Sequence, residues 1–160
     1  MAIMEFYLKE IVIPEEKSAI CNKILNALPE WFGIPAAVVD YTDRVRGMPF
    51  YAAFAGGEPA GFAAVKDHNP YTAEIYVIGV MPAYHRSGMG KSLIGRCEDL
   101  CRAGGKEFLT VKTLDESGNS ESYDKTRLFY RALGFRPLEI FPLLWNEDNP
   151  CLFLAKYIAG

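Results

Sequence analysis

The stretch Val80-Met81-Pro82-Ala83-Tyr84-His85-Arg86-Ser87-Gly88-Met89-Gly90-Lys91-Ser92-Leu93-Ile94 decides how this chain is read. It follows Ala73–Val80 (AEIYVIGV), a β-branched and aromatic run that reads as a strand. After Gly90, Leu93, Ile94, Cys97, Leu100 and Cys101 recur at helical spacing, so the segment is a strand, a glycine turn and a helix. A helix start leaves backbone N–H groups unpaired and carries the positive end of the helix dipole, which suits an anionic phosphate. Gly88 and Gly90 remove side chains where a ligand would approach the backbone, and His85, Arg86 and Lys91 add donors and positive charge.

Spacing separates the phosphate-binding possibilities. A nucleoside-triphosphate P-loop ending at Gly90-Lys91-Ser92 requires glycine where this chain has His85. A dinucleotide fingerprint beginning at Gly88 requires glycine at the position of Leu93. Both fail at a residue their mechanism needs. An ordinary strand-to-helix turn with two glycines also accounts for the segment by itself.

Outward from this loop the elements are mixed. Residues 3–8 are expected to form a strand, and Pro14 opens a helix with Glu15 and Glu16 in its first turn. A short helix is expected around 36–45. Phe50–Ala55 and Ala60–Lys66 flank Gly56-Gly57-Glu58-Pro59 and read as a hairpin. On the 73–80 strand, alternation places Glu74, Tyr76, Ile78 and Val80 on one face and Ile75 and Val77 on the other. Phe108–Leu114 is a further strand, and a polar loop over 115–122 precedes a helix with the stripe Thr126, Phe129, Tyr130 and Leu133. Arg136–Phe141 and Cys151–Lys156 read as closing strands around a loop containing Pro142, Trp145 and Pro150. This order implies an α/β domain built on one mixed sheet, a single domain over residues 1–160.

Composition agrees with a globular enzyme-sized domain. Of 160 residues, 50% are hydrophobic and 23% charged, enough to build a core. The net charge of −3 and the lack of a Lys/Arg run argue against a nucleic-acid partner. No run is long and apolar enough to span a bilayer, and residues 1–10 lack the basic and apolar regions of a secretion signal, so the expected location is cytoplasmic. Cys21, Cys97, Cys101 and Cys151 are read as buried, reduced thiols, and no metal site is expected.

Together, two motifs resemble those of the GNAT superfamily of acetyl-CoA-dependent N-acetyltransferases. Tyr84-His85-Arg86-Ser87-Gly88-Met89-Gly90 is similar to that family's pyrophosphate loop, with His85 at the usual Arg or Gln position. Thr126-Arg127-Leu128-Phe129-Tyr130-Arg131-Ala132-Leu133-Gly134-Phe135 is similar to the helix-and-glycine ending that follows the next strand. The resemblance covers roughly residues 50–156. It implies a GNAT-like acyl-CoA N-acyltransferase fold with splayed central strands admitting the cofactor's pantetheine arm. It also implies acetyl-CoA as cosubstrate, held by Ile78, Val80, His85, Arg86, Ser87, Gly88, Met89, Gly90 and Lys91. The Val80 N–H is then the donor to the thioester carbonyl, with Gly79 allowing a bulge that aims it, or serving only packing. One departure stands out: Tyr123 occupies the position of the family's usual Asn, and Asn119 lies four residues too early.

Acetyl transfer requires an amine free of its proton, and deprotonating a lysine-like amine at pH 7 costs roughly 4–5 kcal/mol. Glu74 is the candidate base, directly or through a water; the alternative is a solvated carboxylate at a strand end. Tyr130 is the candidate acid for the departing thiolate, the alternative being a core tyrosine. The expected acceptor is a primary amine, a small cationic metabolite. Trp31, Phe32 and Tyr41, and separately Trp145 with Glu147 and Asp148, are candidates for its pocket. Protein Lys or N-terminal acetylation and a non-catalytic acetyl-CoA-binding module are the other readings. The assembly is expected to be a monomer or homodimer.

Overall fold

A computed structural model describes residues 5–160 of the chain. The described residues fold as two compact units that the chain visits more than once. The first comprises residues up to Lys66 together with Ile75–Leu100; the second comprises Asp67–Glu74 and Cys101–Gly160.

In the first unit, β1 (Tyr7–Glu10), β2 (Phe50–Ala55), β3 (Glu58–Asn69, as far as Lys66) and β4 (Thr72–Val80, from Ile75) lie in that order. β1 pairs antiparallel with β2, from Tyr7 opposite Phe54 to Glu10 opposite Tyr51. The expected strand over 3–8 therefore lies later, and residues 3 and 4 of that expectation fall outside the described residues. β2 and β3 form the expected hairpin through Gly56 and Gly57, whose φ values of +59° and +81° suit the mirror-image turn that a twisted hairpin favours.

Two helices pack against this group of strands. α1 (Pro14–Asn26) and α2 (Pro35–Arg44) each begin on proline, where the missing N–H costs nothing. Ile20, Ile24 and Leu25 of α1 are buried with Phe50 and Phe62, whose rings stack at 5.1 Å. Glycine lets the layers close up. A Cβ on Gly79 would fall 3.0 Å from Ile24 Cγ2 and 3.2 Å from Phe62 Cε1. A Cβ on Gly61 would fall 2.8 Å from Met89 Sδ, at the start of α3 (Met89–Ala103).

In the second unit the start of β4 neighbours β5 (Phe108–Leu114), and the Thr110 hydroxyl donates to the Ala73 carbonyl at 3.4 Å. β5 pairs antiparallel with β7 (Asn149–Tyr157), from Phe108 opposite Tyr157 to Leu114 opposite Cys151. β6 (Arg136–Asn146) pairs with the other side of β7. α4 (Glu121–Ala132) ends at Leu133 and turns through Gly134, at φ +98°, into β6. Leu109, Phe135 and Leu154 are fully buried here.

The expected loop over 142–150 is a strand continuation and a tight turn. β6 runs through Pro137 and Pro142 because it is an edge strand, where a missing N–H breaks no ladder bond. Its register shifts between Pro137 and Glu139 and again between Phe141 and Asn146.

Candidate functional site

The glycine loop is built from the end of β4 to the start of α3. Ile78 and Val80 are half-buried, alternating with the buried Val77 and Gly79, as a two-residue period requires. After a single helical turn over Pro82–Tyr84, Arg86 takes φ +64° and Gly88 φ +88°. The Ser87 N–H and hydroxyl both donate to the Tyr84 carbonyl, and the Met89 N–H donates to Ser87 Oγ. The first helical bond runs from the Ser92 N–H to the Gly88 carbonyl at 3.0 Å. Gly90 and Lys91 therefore precede any helical acceptor for their own N–H groups, as an anion-binding turn demands.

His85 has a different part from the one expected of a free cation. Its Nε2 donates to the Val80 carbonyl at 2.7 Å, and its ring meets Trp31 edge-on at 5.5 Å. The imidazole thus staples the loop to the strand end, while Arg86 and Lys91 stay exposed. Gly79 packs closely, its bare face turned to α1 and Phe62.

Phe32 and Tyr41 are brought together with Tyr76 of β4, while Trp31 meets His85. Phe32 meets Tyr41 at 5.8 Å and Tyr41 meets Tyr76 at 5.3 Å, with the Lys66 ammonium 5.9 Å from the Tyr76 ring centre. Trp145 is placed otherwise, 42% exposed near the end of β6. Glu147 and Asp148 form the exposed turn between β6 and β7, where Asn146 Oδ1 accepts from the Asp148 N–H at 3.0 Å. An acceptor subsite made of Trp145 with these two acids has no enclosure, because the turn is the solvated tip of a hairpin.

Glu74 is buried, only 4% exposed, which overturns the alternative of a solvated strand-end carboxylate. His68, near the end of β3, places Nε2 2.6 Å from Glu74 Oε1. Lys112 of β5 donates its ammonium to both oxygens, at 3.1 and 3.2 Å. A buried carboxylate needs such partners to stay ionised. Neither residue was visible as a partner from spacing, since Lys112 lies 38 positions away. The polar signal was the odd His in a β-type run, followed six residues later by an acid.

The Cys151 thiol, opposite the end of β5, belongs to the same surroundings. Burial pushes it up to about 11, against the Lys112 charge and with the Glu74 charge.

Tyr130 is 4% exposed on α4 and packs edge-on against Phe129 and Phe135, at 5.3 and 5.6 Å. Arg127, one turn earlier, is also buried. Its guanidinium donates to the Leu114 carbonyl and pairs with Asp124. Asn119 closes a short turn at φ +53°, and Tyr123 is half-buried on α4. A groove of about 700 Å³ lies in this unit, lined among others by Asp124, Arg131, Leu138 and Ile140. None of the sequence-predicted site residues lines it.

Among the described residues, no three His, Cys, Asp or Glu side chains are grouped to hold a metal ion. Among the described residues, no helix is long and apolar enough to cross a membrane.

Comparison with known proteins brings these features under one description. The Acetyltransferase (GNAT) family matches residues 19–135, a stretch running through parts of both units. The uncharacterized N-acetyltransferase YsnE of Bacillus subtilis is 27% identical over 116 residues, covering 71% of this chain and 74% of that protein. The N-alpha-acetyltransferase RimI of Mycobacterium tuberculosis is 31% identical over 90 residues, covering 54% of this chain and 51% of RimI. A GNAT-family structure from Desulfovibrio desulfuricans superposes with a TM-score of 0.82 at 18% identity, over 97% of this chain and all of that one, which shows the fold. With its mixed α/β fold, its glycine loop at a helix start and this match over most of its length, the chain belongs to the GNAT acetyltransferase family and is an acetyl-CoA-dependent acyltransferase.

Proposed function

We propose that this enzyme transfers the acetyl group of acetyl-CoA to a primary amine by direct attack in a ternary complex. The observation that carries the reading is the turn at the start of α3, with Arg86 and Gly88 at positive φ and the first helical carbonyl at Gly88. That geometry leaves the Gly90 and Lys91 N–H groups ahead of the first helical acceptor, at the positive end of the α3 dipole, where a diphosphate can be held. Ser87, Gly88, Met89, Gly90 and Lys91 hold the pyrophosphate, Arg86 adds charge, and His85 keeps the loop in place. Ile78 and Val80 line the pantetheine arm, and the Val80 N–H donates to the thioester carbonyl. Tyr130 gives the departing thiolate its proton. Glu74 draws the proton from the incoming ammonium.

The acceptor in this reading is a small cationic amine. The aromatic group of Phe32, Tyr41 and Tyr76 supports it, because ring faces attract ammonium groups. A second reading, acetylation of a protein N-terminus, is favoured by the similarity to RimI, an N-alpha-acetyltransferase. The whole chain works as one acetyltransferase domain, as a monomer or homodimer, with no metal and no nucleic-acid or membrane partner. A cytoplasmic site of action fits four buried cysteines that are all free thiols.

Calorimetric titration with acetyl-CoA, with ATP and NAD as controls, tests the loop. Binding in the micromolar range, about −8 kcal/mol, is expected for acetyl-CoA alone. Absence of acetyl-CoA binding, or preference for either control, overturns the reading. Transfer to kanamycin, spermidine and an alanine-terminated peptide then separates a small-amine acceptor from a protein N-terminus. Tight binding without turnover of any amine leaves a non-catalytic binding module in place of the enzyme.

A further inference from the structure

We propose that the chain forms a two-fold homodimer in which the β6–β7 hairpin arm of each copy fills the groove beside α4 of the other. Arm and groove both lie in the second unit. Neither contains a residue placed in acetyl transfer, so the dimer stands apart from the acceptor and the chemistry.

The arm begins where β5 ends. β5 pairs with β7 only as far as Leu114 opposite Cys151, followed by one bond from the Asp115 N–H to the Pro150 carbonyl at 2.9 Å. Beyond that point β6 and β7 continue as a pair, closing with Asn146 opposite Asn149. Residues 142–149 are thus a two-stranded ribbon, which is marginal in water by itself. The register shift between Phe141 and Asn146 gives β6 more chain here than β7 opposes. That extra chain exposes Leu143 at 72%, Leu144 at 52% and Trp145 at 42%.

The groove of about 700 Å³ is the hollow between α4 and the first half of β6. Leu128 of α4, with Leu138 and Ile140 of β6, lines it, and these three are 50–67% exposed. Single apolar side chains at a surface are ordinary, but six large ones on two neighbouring elements make a patch. Charge fixes which part of the arm enters. The groove has exposed acids of its own, Glu116 and Glu139, so the acidic tip at Glu147 and Asp148 stays outside in water. The entering surface is Leu143–Trp145.

Area, closure and strand chemistry select a second copy as the occupant. The six side chains expose on the order of 500 Å² of apolar surface per chain, so two copies supply about 1,000 Å² before any polar rim is added. That reaches the size a specific interface needs. One chain carries both arm and groove, so a two-fold exchange satisfies both at once and closes. Addition of a foreign strand is disfavoured, because Pro137, Pro142 and two register shifts blunt the β6 edge.

Sedimentation velocity on the full chain at micromolar concentration should give a dimer, twice the chain mass of 17.9 kDa. Leu143→Arg with Leu144→Arg makes the arm cationic, and Leu128→Glu with Leu138→Glu makes the groove anionic. All four side chains are exposed, so circular dichroism of both variants should match wild type. Alone, each variant should be monomeric, its dimer Kd raised about 10²-fold or more. Mixed one to one, the two variants should regain a dimer, because one seam is then wild type and the other sets Arg against Glu. A monomeric wild type overturns the proposal and leaves the groove to a different protein or a small ligand. Wild-type species larger than a dimer, variants that still dimerise alone, or a mixture that stays monomeric overturn it equally.

Discussion

The buried guanidinium of Arg127, on α4, donates to the backbone carbonyl of Leu114 at the end of β5. This bond joins the helix carrying Tyr130 to the strand carrying Lys112, thirteen residues apart along the chain. Arg127→Met removes the donor and leaves both the Leu114 carbonyl and Asp124 without it. The expected loss is about 1–3 kcal/mol of unfolding free energy, read by urea denaturation. A change below about 0.5 kcal/mol would show that water replaces the guanidinium at no cost.

Tyr130 should separate chemistry from packing. Tyr130→Phe keeps the ring contacts with Phe129 and Phe135, so thermal stability should change little. If the hydroxyl protonates the thiolate, kcat falls about 10²-fold while the KM for acetyl-CoA holds. A loss below about threefold would return Tyr130 to the core.

Gly79 is a packing requirement. A methyl group there would meet Ile24, Phe62 and Leu28 at 3.0–3.3 Å, and two of these belong to α1 and its end. Gly79→Ala should destabilise by about 1–3 kcal/mol as α1 is pushed from the sheet. A melting temperature equal to wild type would contradict the packing described above.

At Gly88 the constraint is conformational instead. Its φ is +88° and nothing lies within 4 Å of the Cβ position, so a side chain fits in space but not in backbone geometry. Gly88→Ala should weaken acetyl-CoA binding about five- to thirtyfold, corresponding to the ~1–2 kcal/mol cost of that region for an L-residue. Unchanged calorimetric affinity would place the cofactor elsewhere.

The buried thiols predict an alkaline limit. Burial pushes Cys21 up to about 12, against a hydrogen bond from Thr42, and Cys151 up to about 11. Both folded values lie above the ordinary thiol value of 9.0, so the neutral thiols contribute stability that is complete below pH 9. That stability is lost as pH rises through 11 to 12. Unfolding free energy should therefore fall above pH 9, and Cys151→Ala should make that decline shallower. An equal slope in the variant would show that other groups govern it.

Much of the chain's local structure could be read from its residues because the causes are local. Pro14 and Pro35 start α1 and α2, Gly56-Gly57 closes the β2–β3 hairpin, and Gly134 ends the helix of Tyr130. The start of the edge strand β6 was legible over Arg136–Phe141, but its continuation to Asn146 escaped, because Pro142 normally ends a strand. Only the sheet order reveals that one side of β6 has no partner to lose.

The sequence by itself determined the loop at α3 and the family it resembles, since a glycine turn at a helix start needs only neighbouring residues. It also placed Glu74 and Tyr130 on their elements. Tertiary structure alone decided what surrounds them: His85 is bound to Val80, Gly79 is closed over by α1, and Glu74 is held between His68 and Lys112. Residue spacing cannot report these pairings. The energy of a buried charge depends on which distant strands bring it partners, and that is known only once the chain has folded.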